Sequence, residues 1–204
     1  PGLRRIDAIQ TADLDGDLEV LVPALDYLQR WEGEYDAMQK KGAELWYYTA
    51  WVPQEHYPNR LMDYPLLKTR VLHWINYTTG TTGYLHWGLN QWDVPFDTFA
   101  PGDNWIIWPG KNGPRSSIRY EAMRAGIEDY EYLKLLEEKS AQAAQRLGMQ
   151  GFDAHAYAMA YAQRVAPSIQ GFKRNPEALL ETRDAVARAI EKLELGEAPP
   201  AMAK

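Results

Sequence analysis

Short apolar runs alternate with helix-period segments through the first half of this chain, and that alternation limits the fold more than any other feature. Leu18 to Leu25 (LEVLVPAL) is continuously apolar, as a strand buried on both faces must be. Arg4 to Gln10 (RRIDAIQ) alternates well enough for a shorter strand, and the acidic, turn-rich Thr11 to Asp17 (TADLDGD) joins the two. Trp31 to Lys41 has helical period, with Gly42 placed to end it in the left-handed conformation. Glu44 to Trp51 (ELWYYTAW) is a third strand, rich in aromatics. Val52 to Asp63 is a long polar loop. Tyr64 to Tyr77 is helical again, with Pro65 in its first turn, and Gly80 to Gly83 breaks it. Tyr84 to Trp92 (YLHWGLNQW) is a fourth strand that runs into a loop.

Apolar strands separated by helices predict a parallel sheet with helices outside it. A Pro/Gly/Asp-rich excursion follows, Asp93 to Arg115, holding a strand-like piece at Trp105 to Trp108. Ser116 and Ser117 are good N-cap residues for an amphipathic helix over Ile118 to Lys139. Ala154 to Ala166 and Pro176 to Leu195 are helical, and Gly196 to Lys204 reads as a frayed tail. A closed (β/α)8 barrel takes about 250 residues, more than this chain has. The expected fold is therefore α/β: the C-terminal half of a (β/α)8 TIM-type barrel followed by C-terminal helices. Residues 1–140 would hold the last four strands and their helices, 141–195 a helical extension and 196–204 a flexible tail. An open four-stranded sheet is the alternative. A half barrel leaves unpaired strand edges, so self-association, or docking with a missing N-terminal half, is expected.

Composition narrows the partners. A net charge of −6 with no stripe of Lys and Arg argues against nucleic acid. No apolar run is long enough to span a bilayer, so no membrane partner is expected. There are no cysteines for disulfides or thiolate metal sites. His73 and His86 stand alone, without an HExxH pattern, and no metal is expected. No P-loop, GxGxxG or GxSxG occurs, which argues against nucleotide cofactors and a serine hydrolase. The chain opens Pro1-Gly2-Leu3-Arg4-Arg5, neither an initiator Met nor a signal peptide, so its numbering is expected to begin inside a longer gene product.

The informative excess is aromatic: eight Trp and thirteen Tyr against four Phe. An indole or phenol joins a flat apolar face to a polar edge, which suits the C–H face and hydroxyl rim of a sugar. Filling a large core is the other use for any one of them. Parallel α/β folds gather ligands at the C-terminal ends of their strands. Those ends fall at Asp26-Tyr27, at Tyr48 to Trp51 and at Trp87 to Trp92, which would bring Tyr48, Trp51, Trp87, Asn90 and Trp92 to one rim. There the indoles would stack on pyranose faces, Asn90 would serve a hydroxyl or acetamido group, and Tyr48 would donate to a carbonyl oxygen. His56, Asn59 and Arg60 lie in the loop that would close over the site, although His56 reads equally as a solvated loop residue. Because His86 and Trp87 alternate on a strand, at most one of them should face it.

Glycoside hydrolysis normally uses two carboxyls. Asp26, Glu55, Asp63 and Asp93 lie near the correct ends, but none belongs to a tight local pair, and Asp7 is a lone acid within a strand. Glu128-Asp129 sits on the long helix, where Arg119, Glu121, Arg124 and Glu128 have salt-bridge spacing, so that helix reads as structural.

Two segments, WYYTAWVPQEHYPNRLMDYPLLKTRVLHWINYTTGTTGYLHWGLNQW (46–92) and PGDNWIIWPGKNGPRSSIRYEAMRAGIEDYEYLKLL (101–136), resemble glycoside hydrolase family 123 and the related uncharacterised domain family numbered 4091. The likeness runs from about Leu3 to Leu136, with a weaker helical echo at Arg183 to Leu193. The resemblance implies a (β/α)8 barrel and an exo-acting β-N-acetylgalactosaminidase. In that reaction the substrate's own acetamido oxygen attacks the anomeric carbon. An Asp orients the acetamido group, and the adjacent Glu is the general acid/base. That Asp-Glu pair would lie upstream of Pro1, so no catalytic residue is expected within this chain. Tyr48, Trp87, Asn90 and Trp92 match positions expected to line the sugar pocket. Family habit also implies a bacterial carbohydrate scavenger, extracellular or periplasmic. A carbohydrate-binding remnant or an inert scaffold fragment is the alternative.

Overall fold

The computed structural model describes residues 2–14 and 16–200. Strands β1 (Ile6–Ile9), β2 (Val20–Pro23), β3 (Glu44–Tyr48) and β4 (Gly83–Leu85) form one parallel sheet in sequence order. Helices α1 (Leu25–Arg30) and α2 (Glu32–Lys40) connect β2 to β3, and α3 (Leu66–Arg70) and α4 (Leu72–Thr78) connect β3 to β4. After β4 come a long excursion and helices α5 (Ile118–Arg146), α6 (Ala154–Val165) and α7 (Pro176–Glu194). The chain is thus α/β with a parallel sheet, as its alternation predicts.

Several boundaries differ from the sequence reading, each for a packing reason. The apolar run Leu18 to Leu25 serves two elements: the strand stops at Pro23, and Leu25 opens α1, which buries Leu25 and Leu28. The helix expected over 64–77 is interrupted at Val71, giving α3 and α4. The fourth strand ends at Leu85, seven residues short of Trp92, because its neighbour β3 ends at the paired Tyr48. Trp105 and Trp108 make isolated bridges, to Asn90 and Arg115, in place of a strand. Helix α5 is capped by Ser117, which accepts from Tyr120 N at 3.1 Å, and it runs past Lys139 to Arg146, burying Ser140, Ala143 and Ala144. Gly42, at φ 101°, follows α2 as expected. In the tail, Pro199 is buried, and residues 201–204 lie outside the described residues.

Burial alternates along β3. Leu45 and Tyr47 are buried, while Glu44, Trp46 and Tyr48 on the other face are half-buried. Leu45 and Tyr47, with Ile9 and Leu21, join one continuous core reaching through Trp74 and Leu136 to Val186 on α7. Tyr47 finds a partner there, its hydroxyl donating to Leu72 O at 2.6 Å. On the opposite face Glu44 accepts from Trp46 Nε1 (2.8 Å), Arg4 (2.6 Å) and Thr82 Oγ1 (2.9 Å), contacts that hold its carboxyl down at about 2.

Asp129 on α5 fastens the helical layer. Its oxygens accept from Arg70 Nε (2.7 Å) and Nη2 (2.9 Å), Trp74 Nε1 (2.9 Å) and Arg183 Nε (3.1 Å), tying α3, α4 and α7 to α5. Arg124 pairs with Glu121 and Glu128, as the spacing predicts. Arg119 does not join them; it turns inward, because its first-turn position on α5 points beneath the excursion that precedes the helix.

Candidate functional site

The ends of β3 and β4 carry the chain into two loops that hold each other. Beyond Tyr48, Thr49 is buried, and its hydroxyl lies 2.6 Å from Tyr84 Oη on β4. The loop 52–64 is fastened from inside. Buried Asn59 donates through Nδ2 to Ala50 O (2.8 Å) and Pro53 O (2.9 Å), and its Oδ1 accepts from Arg60 N (2.7 Å). Lys68 donates to Glu55 O and sits 3.7 Å from the centre of the Tyr64 ring.

Arg60 then crosses beneath the second loop. Expected to close over the site, it is instead 1% exposed. Its Nη2 contacts Gly88 O, Asp103 O (3.1 Å) and His86 Nδ1 (2.6 Å). Arg119 does the same from α5, donating to Arg60 O (2.7 Å), Gly102 O (2.8 Å) and Trp105 O (2.8 Å). Two buried guanidiniums therefore donate hydrogen bonds to loop carbonyls that have no strand partner. Burial lowers the pKa of both, that of Arg119 to about 10.

The second loop folds back on itself. Asn90 and Trp105 form an antiparallel bridge, Ile106 N donates to Leu89 O (3.0 Å), and Asn104 Nδ2 donates to Val94 O (2.7 Å) and Pro95 O (2.9 Å). Gly88 is required here, since a Cβ at that position would lie 2.6 Å from Asn104 O. Phe96, Trp105 and Trp108 cluster with ring centroids 5.1 to 5.6 Å apart.

At the heart of this loop His86 and Trp87 converge on one carboxylate. Trp87 Nε1 donates to Asp103 Oδ2 at 2.8 Å, and His86 Nε2 lies 3.2 Å from Asp103 Oδ1. Of the two, Trp87 reaches solvent while the His86 side chain is buried, and both lie beyond β4, which ends at Leu85. Asp103 is fully buried, and burial pushes the His86 imidazole down to about 4.

Trp87 (40% exposed), Trp92 (37%) and Trp51 (49%) show their rings to solvent, Asn90 is exposed and Tyr48 is half-buried. Trp92 Nε1 donates to Ile107 O at 2.8 Å, which leaves its ring face free to stack. The loop ties Trp87 to Asp103, Asn90 to Trp105 and Trp92 to Ile107 on the returning segment of chain, and Tyr48 stands in register with Leu85 just before them. His56 is apart from these: it is exposed, and its carbonyl takes the Arg174 guanidinium at 3.5 Å. Asp26 and Glu55, two of the weighed carboxylates, line a groove of about 500 Å³ with Arg30, Gln54, Tyr57 and Gln170.

The sequence reading missed Asp103 and Arg119 as site-building residues. Asp103 stands in a Pro/Gly/Asp-rich excursion that reads as exposed loop, and its only sequence signal is the PGDNW motif.

The family model for the glycoside hydrolase 123 catalytic domain matches residues 6–136, a span that takes in all four strands and both loops just described. No curated protein matches the chain. With well over half its length and the whole of its aromatic rim inside that match, the chain belongs to the glycoside hydrolase 123 family.

Proposed function

We propose that this chain is the C-terminal half of a (β/α)8 barrel that hydrolyses a terminal β-linked N-acetylhexosamine, with N-acetylgalactosamine the expected sugar. The observation that carries the reading is the row of solvent-facing indoles, Trp51, Trp87 and Trp92, at the C-terminal ends of sequentially ordered parallel strands. Strands that add in sequence order through right-handed crossovers keep their helices on one side, as a barrel requires. The half-buried face of Glu44, Trp46 and Tyr48 suits the inner surface of such a barrel. Trp87 and Trp92 would stack on the sugar ring, Asn90 would hold its acetamido or hydroxyl group, Tyr48 would donate to the acetamido oxygen, and Trp51, with His56 on its loop, would border the opening. Arg60 would act from beneath by holding the rim in shape.

The reaction would be substrate-assisted and retaining: the acetamido oxygen attacks the anomeric carbon while a carboxylic acid protonates the leaving oxygen. The Asp-Glu pair that steers this chemistry is expected on a segment upstream of Pro1. Assay of a chromogenic β-N-acetylgalactosaminide tests the assignment. Hydrolysis by the longer gene product, with none by residues 1–204 alone, is expected. Hydrolysis by residues 1–204 would place the acid/base pair within this chain, and Asp26 and Glu55 would then be its first suspects.

The second reading, a carbohydrate-binding module without catalysis, rests on the same indoles. Quenching of tryptophan fluorescence by N-acetylgalactosamine, without hydrolysis by the longer product, would select it. Light scattering tests the half-barrel geometry, since open edges at β1 and β4 predict a dimer or larger species.

A further inference from the structure

We propose that Asp103 is a positioning residue that locks the indole of Trp87 into one orientation, making it a preset stacking platform for the sugar; this rests on the carbohydrate reading of the rim. Trp87 lies two residues past Leu85, the last paired residue of β4, so no strand ladder fixes it, and the residue is 40% exposed. An exposed indole in such a place has several rotamers open to it. Its Nε1–H reaches inward to a carboxylate that is itself fully buried, at 2.8 Å. Phe99 meets the same ring edge-on, with centroids 5.6 Å apart.

The surroundings reserve Asp103 for this task. Arg60 and Arg119 lie close by, but they spend their hydrogen bonds on the carbonyls of Gly88, Asp103, Arg60, Gly102 and Trp105. His86 Nδ1 is approached by Arg60 Nη2 at 2.6 Å and Gly88 N at 3.1 Å, both donors, so the ring proton of the neutral imidazole belongs on Nε2. Nε2 faces Asp103 Oδ1 at 3.2 Å but lacks the alignment of a hydrogen bond, and Oδ1 has no other partner. The one well-formed side-chain hydrogen bond to this carboxylate among the described residues is therefore the Trp87 indole. A buried carboxylate that spends its best-formed hydrogen bond on a half-exposed ring fixes that ring's orientation. Fixing a half-exposed ring before the ligand arrives removes an ordering cost from binding.

The test is an NMR measurement of indole N–H resonances in the full chain, paired with titration by N-acetylgalactosamine. Trp87→Phe identifies the Trp87 resonance, which should lie downfield and exchange slowly with water. Asp103→Leu should abolish that protection and weaken sugar binding about tenfold, as loss of a charge-assisted hydrogen bond implies. Asp103→Asn keeps an oxygen acceptor without the charge, so the resonance should move part of the way and most of the affinity should return. The double variant Asp103→Leu/Trp87→Phe should bind no worse than Trp87→Phe alone, because the two residues act as one unit. An unmoved resonance in Asp103→Asn overturns the proposal even if Asp103→Leu fails to fold. Unchanged sugar affinity in a folded Asp103→Leu, or additive losses in the double variant, overturns it too. If the longer gene product also ignores N-acetylgalactosamine, the carbohydrate reading fails, while the resonance shift still decides whether Asp103 anchors the ring.

Discussion

Asp129 and Asp103 are both buried carboxylates that accept from a tryptophan indole, at 2.9 Å from Trp74 and 2.8 Å from Trp87, yet they serve different ends. Around Asp129 every element is closed. Arg70 and Arg183 supply the balancing charge, and Trp74 is wholly buried against the core. Around Asp103 the guanidiniums are turned to backbone carbonyls, and the indole it holds reaches solvent. A fully paired carboxylate joins helices. An incompletely paired one beneath an exposed ring would hold that ring ready for a ligand.

The largest effect should come from Asp129→Ala. Removing the shared acceptor leaves two guanidiniums and an indole without a partner, and unfolding in urea should show a loss of about 3 kcal/mol, the lower end for a broken buried pair because both arginines reach water. A loss well under 1 kcal/mol would mean that the helical layer does not depend on this carboxylate.

Trp74→Phe and Trp87→Phe make the comparison directly. The first should cost about 2 kcal/mol through the lost charge-assisted bond and a cavity in the core. The second should leave the urea midpoint close to wild type and reduce sugar-dependent quenching, Trp92 keeping its share. Equal destabilisation by the two would erase the distinction between a core indole and a presented one.

Both regions hold a neutral histidine, which gives a pH test. Burial pushes His73 and His86 each down to about 4 from the usual 6.5. The unfolded chain therefore binds protons that the folded chain refuses between pH 6.5 and 4, and stability falls as pH drops through that window. Each histidine should contribute up to about 1.4 kcal/mol per pH unit there. Replacing either one with Gln should remove about half of this slope. A slope unchanged by both replacements would show that neither ring is held neutral. The smallest effect belongs to Arg124→Ala, since its pairs with Glu121 and Glu128 are solvent-exposed, and no measurable change in the urea midpoint is expected.

Much of this molecule is legible along the chain because its signals are local. The apolar runs at Ile6, Val20 and Glu44 and the periodicity of α2, α6 and α7 identify strands and helices within a few residues, while α5 runs seven residues past its expected end. Ser117 caps its helix through a hydroxyl three residues from the amide it serves. Strand ends in a parallel sheet point to a rim, which is why Trp51, Trp87 and Trp92 are expected there from the sequence. The length of β4 was not legible, because it depends on where β3 stops.

The sequence by itself determined the alternation of elements and the parallel α/β sheet, since periodicity and residue type act over a few neighbouring positions. Only the tertiary structure decided which charged groups leave water. Arg60, Asp103, Arg119 and Asp129 meet partners as much as 59 residues away. In the sequence each is an ordinary charge in a loop or on a helix. Desolvation and distant pairing exist only once the chain has closed around them.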